Sequence, residues 1–160
     1  MEEEIEIAKQ QLIGLLERMG IKTGVEGFLK EGDLYLEIES NQEGILIGKH
    51  GRTLESLQIL INRMVNKRLN NRVRVVLDIN HYKKRRADSL VKMASQLGEK
   101  AKRTGKEITV GPFNARDRRI IHMAFQGDNS IKTESMGEGA MKKIIIIPKK
   151  QEGERIVPLE

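Results

Sequence analysis

The apolar residues of this chain switch repeatedly between a helical and a β period, and that alternation constrains the fold more than any single residue does. Ile5, Ala8, Leu12, Leu15, Leu16 and Met19 recur every three or four positions, which predicts an amphipathic helix over residues 3–19. Its glutamates crowd the amino end, where the helix dipole favours negative charge. Beyond Gly20 the spacing shortens to two in the runs VEGFLK and DLYLEIE, and Glu31-Gly32-Asp33 between them suits an antiparallel hairpin. Leu54, Leu57, Ile61, Met64, Val65 and Leu69 then form one stripe of a helix over 52–69, preceded by a short helical turn over 42–47. The run RVRVVLDI alternates, with Val73, Val75, Leu77 and Ile79 on one face and Arg74 opposite, as a strand does. The first 80 residues therefore read α-β-β-α-α-β.

From Tyr82 to Thr104 a long helix is expected on the stripe Ala87, Leu90, Val91, Ala94, Leu97 and Ala101, connecting this unit to a second one. Lys83, Lys84, Arg85 and Arg86 crowd its start, against the dipole; such a helix either gains from an external anion or simply carries solvated charge. The strand-like EITVG follows and turns at Pro112. Asn114 is placed to cap a helix containing Arg118, Ile121, His122 and Phe125. The runs SIKTESM and KKIIIIPK, separated by a turn at Gly137–Ala140, complete a helix packed on a small sheet. Residues from 151 on read as a tail. The fold class is α+β, with units at 1–80 and 106–151, a basic connecting helix over 81–105 and a tail over 152–160.

A chain of 160 residues suits one medium domain or two small ones. Without Trp and with five Phe and Tyr residues, its cores must rest on Ile, Leu, Val and Met, and base stacking cannot dominate ligand binding. The absence of Cys excludes disulfides, thiolate metal sites and thiol nucleophiles. The acidic start MEEEIEIAK does not fit a secretory or mitochondrial leader, and no apolar run approaches membrane-spanning length, so a soluble cytoplasmic chain without membrane insertion is expected.

The net charge of +6 hides a segregation. Residues 1–47 hold 4 basic and 11 acidic side chains, a net of −7, whereas residues 63–106 hold 14 basic and 3 acidic, a net of +11. Such a local excess either is a solvated basic helix face or suits a phosphate polyanion, ahead of an acidic protein or membrane surface. Gly48-Lys49-His50-Gly51 lies between two helical segments, where paired glycines let the backbone turn sharply and bring its amides close to a ligand. The helix from Arg52 points its amino-terminal N–H groups at the loop, and Lys49, His50 and Arg52 add charge, an arrangement suited to a sugar-phosphate backbone.

In this setting, ILIG-KH-GRTLESLQ resembles the K-homology (KH) RNA-binding domain of the bacterial type, also called type II, over residues 1–80. The resemblance implies a clamp on about four nucleotides, made here by Gly48, Lys49, His50 and Gly51. Ile47 and Leu54, the apolar residues flanking the loop, are assigned no role in the site. Further on, Arg118 and His122 stand four residues apart and share a helix face, with Arg119 beside them and Arg116 half a turn earlier. The stretch GPFNARDRRIIHMAFQ, with SIKTESMGEG and KKIIIIPKK after it, resembles the R-3-H domain, a single-stranded nucleic-acid module named for that pair. The resemblance implies contacts to phosphate or base from Arg118 and His122, with Arg119 and Lys132 in support. His122 equally suits a second role, tying its helix to the sheet.

A KH domain followed by this module resembles the bacterial Jag family, also called SpoIIIJ-associated or KhpB/EloR proteins. Membership implies a non-catalytic regulator binding single-stranded RNA, linked in several species to cell elongation and envelope or division control. A small single-domain KH protein is the implied partner, or a second copy meeting through the KH domain. Many members carry a further amino-terminal domain and linker, whereas this sequence starts at the KH helix.

Catalysis has no constellation to support it. His50, His81 and His122 come from a loop, a strand end and a helix, without HExxH spacing, paired catalytic carboxylates or a Walker pattern, and no cofactor or metal is implied. The competing class is a protein-interaction scaffold using the acidic first helix or the basic linker, with RNA binding secondary.

Overall fold

A computed structural model describes residues 2–70 and 72–150. It divides into two compact units, the first ending at Arg85 and the second beginning at Arg86. The tail expected from residue 151 onward lies outside the described residues.

In the first unit, helix α1 (Glu2–Arg18) is followed by strands β1 (Val25–Lys30) and β2 (Asp33–Ile38), helix α2 (Glu43–Ile47), helix α3 (Arg52–Leu69) and strand β3 (Val75–Ile79). This is the element order read from the sequence. Glu31 and Gly32 both take positive φ (52° and 86°), which gives the hairpin a two-residue turn that matches strand twist. The sheet order is β1-β2-β3, with β1 antiparallel and β3 parallel to β2. Helices cover one face only: Ala8, Leu12 and Leu16 from α1 and Leu54, Leu57, Ile61 and Val65 from α3 bury against Leu34, Leu36, Ile38, Val75, Leu77 and Ile79. At about 1.5–3 kcal/mol for each fully buried aliphatic side chain, this cluster dominates the unit's stability. The strand read over RVRVVLDI begins only at Val75; Asn70 closes α3 in a left-handed conformation (φ 51°), and Val73 has both backbone groups held by Asn66.

β3 is an edge strand, and its outward backbone groups are taken by carboxamides of α3. Gln58 donates to the Val75 carbonyl (2.5 Å) and accepts from the Leu77 amide (3.0 Å). Asn66 donates to the Val73 carbonyl (2.8 Å) and accepts from its amide (2.6 Å). Asn62 sits between them and does the same at Val75.

Helix α4 (Tyr82–Thr104) starts in the first unit and continues into the second, which adds β4 (Ile108–Phe113), α5 (Ala115–Ala124), β5 (Ile131–Met136) and β6 (Lys142–Pro148). The sheet is antiparallel in the order β4-β6-β5. Leu90, Ala94 and Ala101 of α4 are buried with Phe113, Ile121, Phe125, Ile131, Ile144 and Ile146, so most of the helix read as a connector is a wall of the second core. Gly98 allows the close approach, since a Cβ there would lie 2.6 Å from the Phe125 ring. β4 runs through Pro112 instead of turning there. Its register shifts between Val110 and Phe113, so the residue without an N–H sits where the ladder is interrupted. Asn114 caps α5 as expected, its side chain accepting from the Asp117 amide at 2.8 Å.

Candidate nucleic-acid interface

The Gly48–Gly51 loop is entered through backbone geometry that only glycine sustains. Gly48 has φ 71° and ψ −180°, a region closed to other residues, and a Cβ there would collide with Thr53 Oγ1. Lys49–Gly51 turn tightly through His50, itself left-handed at φ 57°, and the Gly51 amide bonds the Gly48 carbonyl (3.2 Å). Gly51 takes φ 77°, and a Cβ would meet the Tyr82 ring at 3.0 Å. Leu46 and Ile47 before the loop and Leu54 after it are buried, so the loop stands on a fixed core. The structure thereby puts Ile47 and Leu54 in a supporting role.

α3 starts at Arg52 with no side-chain cap, because its N-cap is Gly51. An 18-residue helix thus presents its positive amino end at the loop. Lys49 and Arg52 are exposed beside it and His50 is half-buried. The loop residues expected as a clamp, Gly48, Lys49, His50 and Gly51, form one continuous feature with Arg52.

Tyr82 was missed by the sequence reading, although it packs on Gly51. The signal for it was weak: a lone aromatic at a helix start, next to four cations. Those cations are also employed differently from the reading that left them to solvent or an external anion. Lys83 Nζ reaches Gln58 Oε1 (3.0 Å) and Arg85 pairs with Glu43 (3.0 Å). Arg86 donates from Nε (3.1 Å) and Nη2 (2.7 Å) to Asp117, the one buried charged residue among those described. The Asp78 carboxylate accepts from the Lys83 amide at 3.3 Å, which supplies the anion at the amino end of α4 from within the unit.

In the second unit, Arg118 is half-buried and its Nη1 donates to the carbonyls of Phe113 (2.8 Å) and Ala140 (3.1 Å), pinning the end of β4 to the β5–β6 turn. His122 lies between two hydroxyls of β5, with Nδ1 2.6 Å from Thr133 Oγ1 and Nε2 3.0 Å from Ser135 Oγ. Burial lowers its pKa below the ordinary 6.5, and the Arg118 charge adds to the effect. Through the two hydroxyl contacts the imidazole links α5 to the sheet. Arg119 is exposed at the helix surface, and Lys132 pairs with Glu134 at 2.6 Å. Among the described residues, no three His, Asp or Glu side chains converge on a metal-sized site, and no helix is long and apolar enough to cross a membrane.

The two units and their loops define a tandem KH and R-3-H chain. The KH-domain profile of KhpA/KhpB matches residues 6–77, and the R-3-H domain profile matches residues 88–148. RNA-binding protein KhpB of Clostridium symbiosum is 38% identical over 133 residues, covering 83% of this chain and 60% of that protein. KhpB of Lactiplantibacillus plantarum is 27% identical over 139 residues, 87% of this chain and 43% of that protein. KhpB of Bacillus subtilis is 30% identical over 148 residues, 91% of this chain and 71% of that protein. The chain belongs to the Jag/KhpB family, and it spans less than two thirds of the length of the first two of these relatives.

Proposed function

We propose that the chain is a non-catalytic binder of single-stranded RNA, gripping the sugar-phosphate backbone at Gly48, Lys49, His50, Gly51 and Arg52. The observation that carries this reading is the loop itself: a Cβ is excluded at Gly48 and crowded by Tyr82 at Gly51, at the uncapped amino end of α3, with Lys49 and Arg52 exposed beside them. The names of the relatives support RNA as the ligand class. Two modules act in this reading, residues 1–80 and 106–151, with 81–105 between them. In the second, Arg119 meets the strand from the surface, while Arg118 and His122 hold the face that presents it. The family resemblance supports post-transcriptional control in the cytoplasm tied to cell elongation or envelope growth, with a small KH protein as partner.

The test is fluorescence anisotropy of the full chain with labelled single-stranded RNA. Affinity should fall steeply with rising salt, because bound phosphates release counterions. Lys49→Asp with His50→Asp should weaken binding at least tenfold with the melting temperature preserved. Unchanged affinity in that folded variant would remove the loop from the interface.

A further inference from the structure

The solvent face of the β1-β2-β3 sheet is organised in rows that cross the strands. The inward alternates Leu34, Leu36, Ile38, Val75, Leu77 and Ile79 are buried beneath the helices, so their neighbours point the other way. Register sets Glu26 opposite Glu37 and Glu37 beside Asp78, a row of three carboxylates. One pleat along, Phe28 stands opposite Tyr35, and Tyr35 beside Val76. The Phe28 and Tyr35 rings stack with centroids 5.3 Å apart and planes 6° apart, and Phe28 is 41% exposed.

Core packing explains neither the opposed Glu26–Glu37 pair nor the aromatic row, whereas Asp78, the third carboxylate, also accepts from the Lys83 amide. Carboxylates directly opposite one another cost a sheet stability. Two of the five Phe and Tyr residues in the chain are placed on a face that no helix of the first unit covers. His81 Nδ1 lies 3.3 Å from the Glu37 carboxylate, and Arg74 paired with Asp33 (3.4 Å) borders the aromatic row on its far side.

We propose that this face docks an arginine-bearing basic segment of another protein. Same-face neighbours along a strand lie about 7 Å apart, so a guanidinium stacked on Phe28 or Tyr35 has the acidic row within reach of its N–H donors. Planar stacking and charge-assisted hydrogen bonding together are what arginine offers and lysine does not. The same carboxylates repel phosphate, which keeps this face apart from the Gly48–Gly51 loop in both charge and ligand.

The experiment is calorimetric titration of the full chain, at physiological salt, with a twelve-residue peptide alternating arginine and glycine, and with its lysine counterpart. The arginine peptide should bind at least fivefold more tightly than the lysine one. Phe28→Ser and the pair Glu26→Gln with Glu37→Gln should each weaken it at least fivefold, while Glu2→Gln, Glu3→Gln and Glu4→Gln on α1 together change it less than twofold. Should Phe28→Ser fail to fold, the glutamine pair decides alone. Equal binding of both peptides, indifference to the sheet variants, or an equal loss from the α1 variant would overturn the proposal. It would also be overturned if Phe28→Ser lowered RNA affinity as much as the loop variant, or abolished a self-association seen by sedimentation, which would make the face an RNA platform or a contact between copies.

Discussion

Asn62 closes both hydrogen-bonding groups of Val75, donating from Nδ2 to its carbonyl at 2.6 Å and accepting its amide at Oδ1 at 2.8 Å. With Gln58 and Asn66 one turn away on either side, it forms a row of carboxamides on one face of α3 that stands in for a fourth strand. An exposed edge invites pairing with another chain, and here that edge is occupied from within. Asn62→Leu leaves the half-buried Val75 amide unsatisfied, while the carbonyl keeps its bond from Gln58, and should cost about 1–2 kcal/mol. Urea denaturation checks the loss, and light scattering should show more association than the parent does. A variant as stable as the parent and no more associated would mean the row is incidental.

The loop glycines make a sharper prediction because a control lies in the same unit. Gly48→Ala must both leave a backbone region that alanine does not tolerate and push its Cβ into Thr53 Oγ1. A loss of about 3 kcal/mol is expected, or a rearranged loop with RNA affinity lost. At Gly14, inside α1, an added methyl group would meet nothing within 4 Å, so Gly14→Ala should stabilise by up to about 1 kcal/mol through helix propensity. Denaturant midpoints of the two variants should therefore move in opposite directions.

These cases show where the sequence was legible. Helix and strand periods are local, so the order of elements in the first unit, the hairpin at Glu31–Gly32 and the Asn114 cap could be read directly. Partners distant in sequence could not. Gln58, Asn62 and Asn66 look like the solvated side of an amphipathic helix until β3 is beside them. Arg86 looks like one cation of four until Asp117, 31 positions on, is buried against it. Pro112 reads as a turn because the interrupted register that accommodates it belongs to β6 as much as to β4. In the candidate site the loop is contiguous in sequence, whereas Tyr82, which closes over Gly51, comes from another helix. For Arg118 and His122 the spacing revealed a shared face but not the carbonyls and hydroxyls that engage them.

His122 gives the second unit a defined response to acid. Its folded pKa lies below the unfolded value of 6.5, chiefly through burial and secondarily through Arg118. Between those two values the unfolded chain binds more protons than the folded one, so stability rises with pH across that window. The contribution is fully present above about pH 6.5 and is lost as pH falls toward and through the folded pKa. Protonation also makes both ring nitrogens donors, so neither can accept from Thr133 or Ser135 any longer. Thermal melts of the full chain at several pH values between about 7.5 and about 5 should show His122→Gln losing less stability on acidification than the parent. Proton NMR of the His122 ring should show a midpoint below 6.5. A midpoint above that value would mean the imidazole is a charged surface group, available to phosphate, and not the neutral tie between α5 and β5.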